Sequence, residues 1–290
     1  MAHRPRRSVL YMPASNARAI EKARGLACDA IILDLEDAVA PEAKPGARGQ
    51  AAAAVAAGGF GGRELIIRCN GLDTTWGAED LAAAARAGPD AVLVPKVNGP
   101  GDIALYDAAI AAAPPRTRLW AMIETPAAIL ALDAIGRTAQ TSRLAGFAVG
   151  LNDLAKAMGG RQTPDRAPHL PFLSLTVAAA RAHGLTALDS VTTAIDDPAL
   201  LELHCRQGAD VGFDGKTLIH PSQIETANRL FSPDPDELAW ARAVIAAYAR
   251  PENAGRGALQ VEGRLAERLH LDQAERLVEI DAAIREQAPA

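Results

Sequence analysis

Apolar residues fall into short runs along the chain, separated by alanine-rich stretches in which apolar positions recur every three or four residues. The runs cover residues 8–12, 30–35, 64–69, 91–97, 119–123, 144–149, 186–191 and 211–213, each the length of a buried strand. Intervening segments such as 16–26, 78–87 and 173–183 have helical spacing. Strand and helix in alternation predict a parallel sheet. Successive runs start about 22 to 42 residues apart, and eight units fill roughly 220 residues. That size points to a closed (β/α)8 TIM barrel over residues 1–231, although an open doubly wound sheet shares the alternation.

The pattern changes after Pro221. Residues 224–230 read as the last barrel helix, and the Pro- and Asp-rich stretch 232–236 as punctuation. Ser232 or Asp234 is positioned to cap a helix over 236–249. Residues 250–257 form a polar connection, and 265–284 has helical spacing through Leu269, Leu277, Ile280 and Ile284. Residues 232–290 are therefore expected to form a C-terminal helical extension.

Two of the apolar runs stand out because each ends near an acid. Residues 118–123 lead to Glu124 and residues 144–149 to Asp153, with a helical pattern over 127–137 between them. A strand–helix–strand crossover makes the strands parallel, so their C-terminal ends share one edge. Two carboxylates there suit a hard divalent cation such as Mg²⁺, which takes one or two carboxylates plus water and substrate oxygens. The alternative is that each acid starts a loop or caps a helix; their convergence favours the metal.

Other strand ends are also polar. The second run ends in Asp34-Leu-Glu36-Asp37, with Asp34 and Glu36 on one side and Asp37 at the loop. Arg68, between Ile67 and Cys69, reads either as a buried ion-pair partner or as a bidentate clamp for a carboxylate. Lys96 reads as an ion-pair partner of the acids or as a Schiff-base lysine. In 212–221, the glycines permit close backbone approach, Lys216 can meet a phosphate, and His220 before Pro221 reads as a turn residue or a base. No Walker A or Rossmann fingerprint is present.

Composition narrows the field further. The chain has 290 residues, 49% hydrophobic and only 4% aromatic, so a large, closely packed core is expected. Its net charge is −5 and no basic stripe is present, which argues against nucleic acid or an acidic membrane surface as partner. Cys28, Cys69 and Cys205 are far apart with no CxxC, as expected of buried small hydrophobes in a reducing compartment. The basic N-terminus is followed by too short an apolar run for a signal peptide, so a cytoplasmic location is expected.

Taken together, several motifs are similar to the citrate lyase beta-subunit-like branch of the HpcH/HpaI aldolase superfamily. They are Leu10-Tyr-Met-Pro-Ala, Asp34-Leu-Glu-Asp-Ala-Val, Ile67-Arg-Cys-Asn70, Pro95-Lys96, Met122-Ile-Glu-Thr125, Gly150-Leu-Asn-Asp-Leu154 and Gly212-Phe-Asp-Gly-Lys-Thr-Leu-Ile-His-Pro-Ser-Gln223, in the expected order over nearly the whole barrel. The resemblance implies a TIM barrel with a helical extension, assembled as a homotrimer or hexamer. It implies Glu124 and Asp153 as Mg²⁺ ligands, Arg68 holding a substrate carboxylate, and Lys216 and His220 near a coenzyme A or carrier arm. Lys96, Asn152 and Glu124 would contact substrate, and Glu36 and Asp37 would hold metal-bound water or orient Arg68.

The implied chemistry is cleavage or formation of a 3-hydroxy-3-carboxy acyl-CoA, such as malyl-CoA or citramalyl-CoA, to acetyl-CoA and a 2-oxo acid. The cation would act as a Lewis acid on the substrate hydroxyl. One departure concerns a tail acid that in the family reaches a neighbouring subunit's site. The comparable segment is Gly263-Arg-Leu-Ala-Glu-Arg-Leu-His270, with Glu267 where the family has Asp. A Glu is a competent acid about one methylene longer, and such placement is exacting; the alternative is an ordinary solvated residue. Malyl-CoA thioesterase and a carrier-dependent or non-catalytic subunit stand as alternatives. A class II pyruvate aldolase fits less well, because those enzymes have His where this chain has Glu36-Asp37.

Overall fold

The computed structural model describes residues 4–287. Eight parallel strands close a barrel in chain order: β1 (Ser8–Pro13), β2 (Ala30–Asp34), β3 (Glu64–Arg68), β4 (Ala91–Val94), β5 (Arg118–Ile123), β6 (Leu144–Val149), β7 (Thr186–Asp189) and β8 (Gly215–Leu218). Strand β8 returns to β1 in register Ser8 with Lys216 and Leu10 with Leu218, which removes both sheet edges. Gly215 is required at that seam, since any side chain there would overlap the Arg6 carbonyl.

Alternation along the strands divides the core in two. Val9, Ile32, Ile66, Leu93, Trp120, Met122 and Leu188 fill the interior of the barrel. Leu10, Ile31, Leu33, Ile67, Val92, Leu119 and Phe147 face outward and meet the alanine-rich helices. Small helix residues such as Ala47, Ala51, Ala84 and Ala180 let those helices lie close to the sheet. All three cysteines are buried and free. No helix of the described residues is long and apolar enough to cross a membrane.

The eighth strand is not where its apolar run lies. Residues 211–213 end the helix Pro198–Val211, and Gly212 caps it in a left-handed conformation with φ 100°. The strand itself reads Gly-Lys-Thr-Leu, and a lysine in a fully buried strand defeats hydropathy. A second difference lies in 127–137, where two short helices, Pro126–Leu130 and Leu132–Arg137, replace one.

The chain divides into two compact units, Arg6–Phe231 and a second that carries the chain from Ser232 onward. Within the second unit, Asp234 caps the helix Pro235–Tyr248 by accepting from the amides of Asp236 and Glu237 at 2.9 and 3.3 Å. The tail is not helical from residue 265. Strands β9 (Ala258–Val261) and β10 (Arg264–Glu267) form an antiparallel hairpin before the helix Arg268–Gln287. Its two-residue turn, Glu262-Gly263, has positive φ at both positions (48° and 80°), the geometry hairpins favour. A glutamate in place of the usual Asn or Asp hides that turn from a sequence reading.

Candidate active site

The C-terminal ends of the barrel strands surround a cavity of about 300 Å³. This is the end of a (β/α)8 barrel where loops carry the chemistry. Arg68, Asp37, Glu124, Asn152 and Asp153 all line the cavity, with Tyr11, Met122 and Ser190 between them.

Arg68 ends β3 beside Asp34, which ends β2 and is its register partner. Asp34 takes the Nε and Nη2 hydrogens of Arg68 at 2.7 and 2.6 Å, a bidentate pair. Glu36 and Asp37 approach Nη1 at 2.8 and 3.1 Å. Tyr11 lies under the guanidinium, 4.8 Å from ring centroid to Cζ. Arg68 is thus an ion-pair partner on one edge, and only its Nη1 side faces the more exposed acids Glu36 and Asp37.

Glu124 lies one residue past β5 and is 2% exposed. Its Oε1 accepts the Lys96 amide at 2.7 Å. Burial, with the negative charge of Asp153 added, pushes its carboxyl up to about 7 despite that hydrogen bond. Asp153 sits in the first turn of the helix Leu151–Met158. Glycine at 150 makes room for Glu124: a Cβ there would fall 2.5 Å from Glu124 Oε2 and 2.6 Å from its Cβ.

Lys96 has a left-handed backbone, φ 50°, and an exposed side chain with Nζ 4.0 Å from Glu36 Oε1. Burial opposes its charge, but Glu36, Glu124, Asp153 and Asp37 outweigh that and hold the ammonium above the usual lysine value. A lysine kept protonated is the reverse of what Schiff-base chemistry needs. Glu36 is pushed up to about 7, chiefly by burial, against the pull of Arg68.

Not every expected residue joins this group. Lys216 is fully buried, bonded to the Ser190 carbonyl and 3.2 Å from Asp189 Oδ2, so its ammonium cannot meet a phosphate. His220 is exposed, and its Nδ1 meets Ser222 Oγ at 2.7 Å in a turn-closing role. Asn152, although at the cavity rim, is exposed, and its Oδ1 accepts from Gln162 Nε2 at 3.0 Å. Glu267, the last residue of β10, belongs to the second unit and its side chain is exposed. Sequence reading missed Asp189 and Ser190, although β7 also ends in an acid.

The residues present fit a divalent cation. Five carboxylates, Asp34, Glu36, Asp37, Glu124 and Asp153, surround two cationic side chains, Arg68 and Lys96. Of the five, Glu124 and Asp153 make no ion pair with either. Among the described residues no group of three or more His, Cys, Asp or Glu is arranged as a metal cage. A pair of carboxylates with open space suits Mg²⁺, which keeps waters and takes substrate oxygens.

A parallel barrel with an acid-rich mouth and a buried arginine defines a class of enzyme scaffold, and comparison with known proteins sharpens it. The HpcH/HpaI aldolase/citrate lyase family matches residues 7–221, and the chain belongs to that family. It is 49% identical over 273 residues, 93% of each chain, to the (3S)-malyl-CoA thioesterase of Cereibacter sphaeroides (strain KD131 / KCTC 12085). It is 32% identical to the citrate lyase subunit beta of Escherichia coli K12, covering 93% of this chain and 91% of that one. Among solved structures, CitE from Mycobacterium tuberculosis in complex with magnesium, acetoacetate and coenzyme A superimposes with a TM-score of 0.76 at 30% identity. That match covers 96% of this chain and 98% of CitE.

Proposed function

We propose that this protein hydrolyses a malyl-CoA-type thioester, with Mg²⁺ held by Glu124 and Asp153. The observation that carries the reading is a carboxylate pair, the buried Glu124 and the half-buried Asp153, neither ion-paired with a cationic side chain, sharing one cavity with Arg68. The likeness to a malyl-CoA thioesterase over nearly the whole chain supports the choice of hydrolysis. The CitE complex with magnesium and coenzyme A supports the cofactor and the thioester.

When bound, Mg²⁺ supplies Lewis-acid polarisation of substrate oxygens. Arg68 binds the free carboxylate of the acyl group through Nη1, displacing Glu36 and Asp37 while Asp34 keeps the guanidinium in place. The Lys96 amide fixes Glu124 Oε1, which leaves Oε2 turned toward Gly150 and the cavity. Met122, Val149 and Val191 give the cavity an apolar side that excludes water from the acyl chain. Glu267, supplied by a neighbouring copy as the family resemblance implies, would take a proton from water as its oxygen joins the acyl carbon; the C–S bond then breaks and the proton passes to the departing thiolate.

A second reading, carbon–carbon cleavage to acetyl-CoA and a 2-oxo acid, uses the same Glu124, Asp153 and Arg68 and is favoured by the citrate lyase relatives. Chromatography of CoA esters after incubation with Mg²⁺ and malyl-CoA separates the two. Free CoA and malate, abolished by EDTA, are expected. Acetyl-CoA and glyoxylate would overturn hydrolysis in favour of cleavage, and no turnover of any CoA ester would point to a carrier-dependent subunit.

A further inference from the structure

The helix that carries Asp153 begins without a cap of its own. Its N-cap position is Gly150, which has no side chain to accept from the first-turn amides. Ser, Thr, Asn or Asp would normally stand there. None can, because even a Cβ at 150 would collide with Glu124. An N-cap side chain would serve the amides of Asn152 or Asp153; the amide of Leu151, the first helical residue and only 6% exposed, is a further first-turn donor with no partner inside the helix.

That donor is satisfied from the loop after the neighbouring strand, β7. Ser190 Oγ, just past β7, accepts the Leu151 amide at 3.1 Å. Ser190 is itself 1% exposed and held at both backbone groups. Its amide donates to Asp189 Oδ1 at 2.8 Å, and its carbonyl accepts from Lys216 Nζ. Asp189 is fixed in turn by Arg166 Nη1 at 2.8 and 2.9 Å and by Lys216. Thr217 Oγ1 ties down the Asp189 carbonyl at 3.0 Å.

We infer that Ser190 is a positioning residue for the cation site, acting as a cap supplied from another strand for the helix that presents Asp153. The buried lysine and arginine hold the serine, the serine holds the Leu151 amide, and the first turn of the helix holds Asp153 opposite Glu124. This inference rests on the reading of Glu124 and Asp153 as ligands. Groups that orient metal ligands without touching the metal typically affect its affinity by about 10–100-fold.

The test uses the full chain with Mn²⁺ as probe, its binding followed by electron paramagnetic resonance, alongside thermal unfolding. Ser190→Ala is expected to weaken Mn²⁺ binding about tenfold, and Ser190→Thr, which keeps the hydroxyl, to restore most of it. Should the Ala variant not fold, Ser190→Cys, close in size with a weak acceptor, carries the same expectation. Glu124→Ala serves as the reference for a lost ligand. No Mn²⁺ binding by the unaltered protein would overturn the metal reading and this inference with it. Binding that Glu124→Ala abolishes but Ser190→Ala leaves unchanged would overturn the inference alone, as would equal losses in the Ala and Thr variants.

Discussion

Two buried acids at the same end of the barrel meet opposite environments. Asp189, at the end of β7, lies between Arg166 and Lys216 and has its carboxyl held below the usual carboxylate range, the two cations outweighing its complete burial. Glu124, just past β5, has a backbone amide but no cationic side chain in contact, and burial drives its carboxyl up to about 7. Both stand at the C-terminal end of a strand and both are almost inaccessible. The difference lies in whether the fold supplies the countercharge. Where it does, the acid is part of the scaffold; where it does not, the buried carboxyl stands without a compensating charge.

The largest effect expected from this contrast is at Glu124. Glu124→Ala should remove turnover by roughly four orders of magnitude, about 5 kcal/mol of barrier, if the cation it holds carries the Lewis-acid term. Thermal stability should not fall, since an uncompensated buried carboxylate is removed. Steady-state kinetics and thermal unfolding on one preparation check both halves. The converse is expected of Asp189→Asn, which leaves two buried cations without their partner. Breaking such a pair costs about 3–5 kcal/mol, readable as a lowered midpoint in urea. A variant as stable as the unaltered chain would remove Asp189 from the scaffold.

Gly150→Ala sharpens the comparison at smaller scale. The added methyl would lie 2.6 Å from the Glu124 Cβ, so the carboxylate must move. Mn²⁺ affinity should fall about tenfold with a measurable loss of thermal stability, because the clash with Glu124 Cβ is not relieved by turning the carboxylate alone. An unchanged affinity would mean that Glu124 does not need its present position.

How much of this was legible in the chain follows from the same physics. Strands β1 to β7 are apolar on both faces and announce themselves. Strand β8 does not, because Lys216 is buried by pairing with Asp189, a partner 27 positions away that hydropathy cannot register. The hairpin of β9 and β10 was hidden by its Glu262-Gly263 turn and by the single buried face of its short strands. At the site, acids ending apolar runs were readable at Asp34, Glu124 and Asp153. The same signal stood at Asp189 and was not used. Ser190 and Gly150 were beyond reach, since one acts on an amide 39 positions earlier and the other by leaving space.

The pH dependence of stability separates the two acids in another way, because they should slope in opposite directions. Asp189 has a folded value below its unfolded one of about 3.9, so its stabilisation is full above that value and is lost as pH falls through the folded value. The stability gap between the unaltered chain and Asp189→Asn should therefore be constant at neutral pH and close in acid, below about pH 4. Glu124, in EDTA, has a folded value near 7 against about 4.3 unfolded. The protonated acid is tolerated at low pH, and its cost grows as pH rises from about 4.3 to about 7. Glu124→Gln should then match the unaltered chain near pH 4 and exceed it in melting temperature at pH 8. Added Mg²⁺ should reverse that order at pH 8, because the ionised carboxylate pair gains the countercharge the fold withholds while the amide gains none. Melting temperatures of both variants at pH 3, 4, 6 and 8, with EDTA or Mg²⁺, measure the two slopes together; parallel slopes would mean that both acids are paired within the fold.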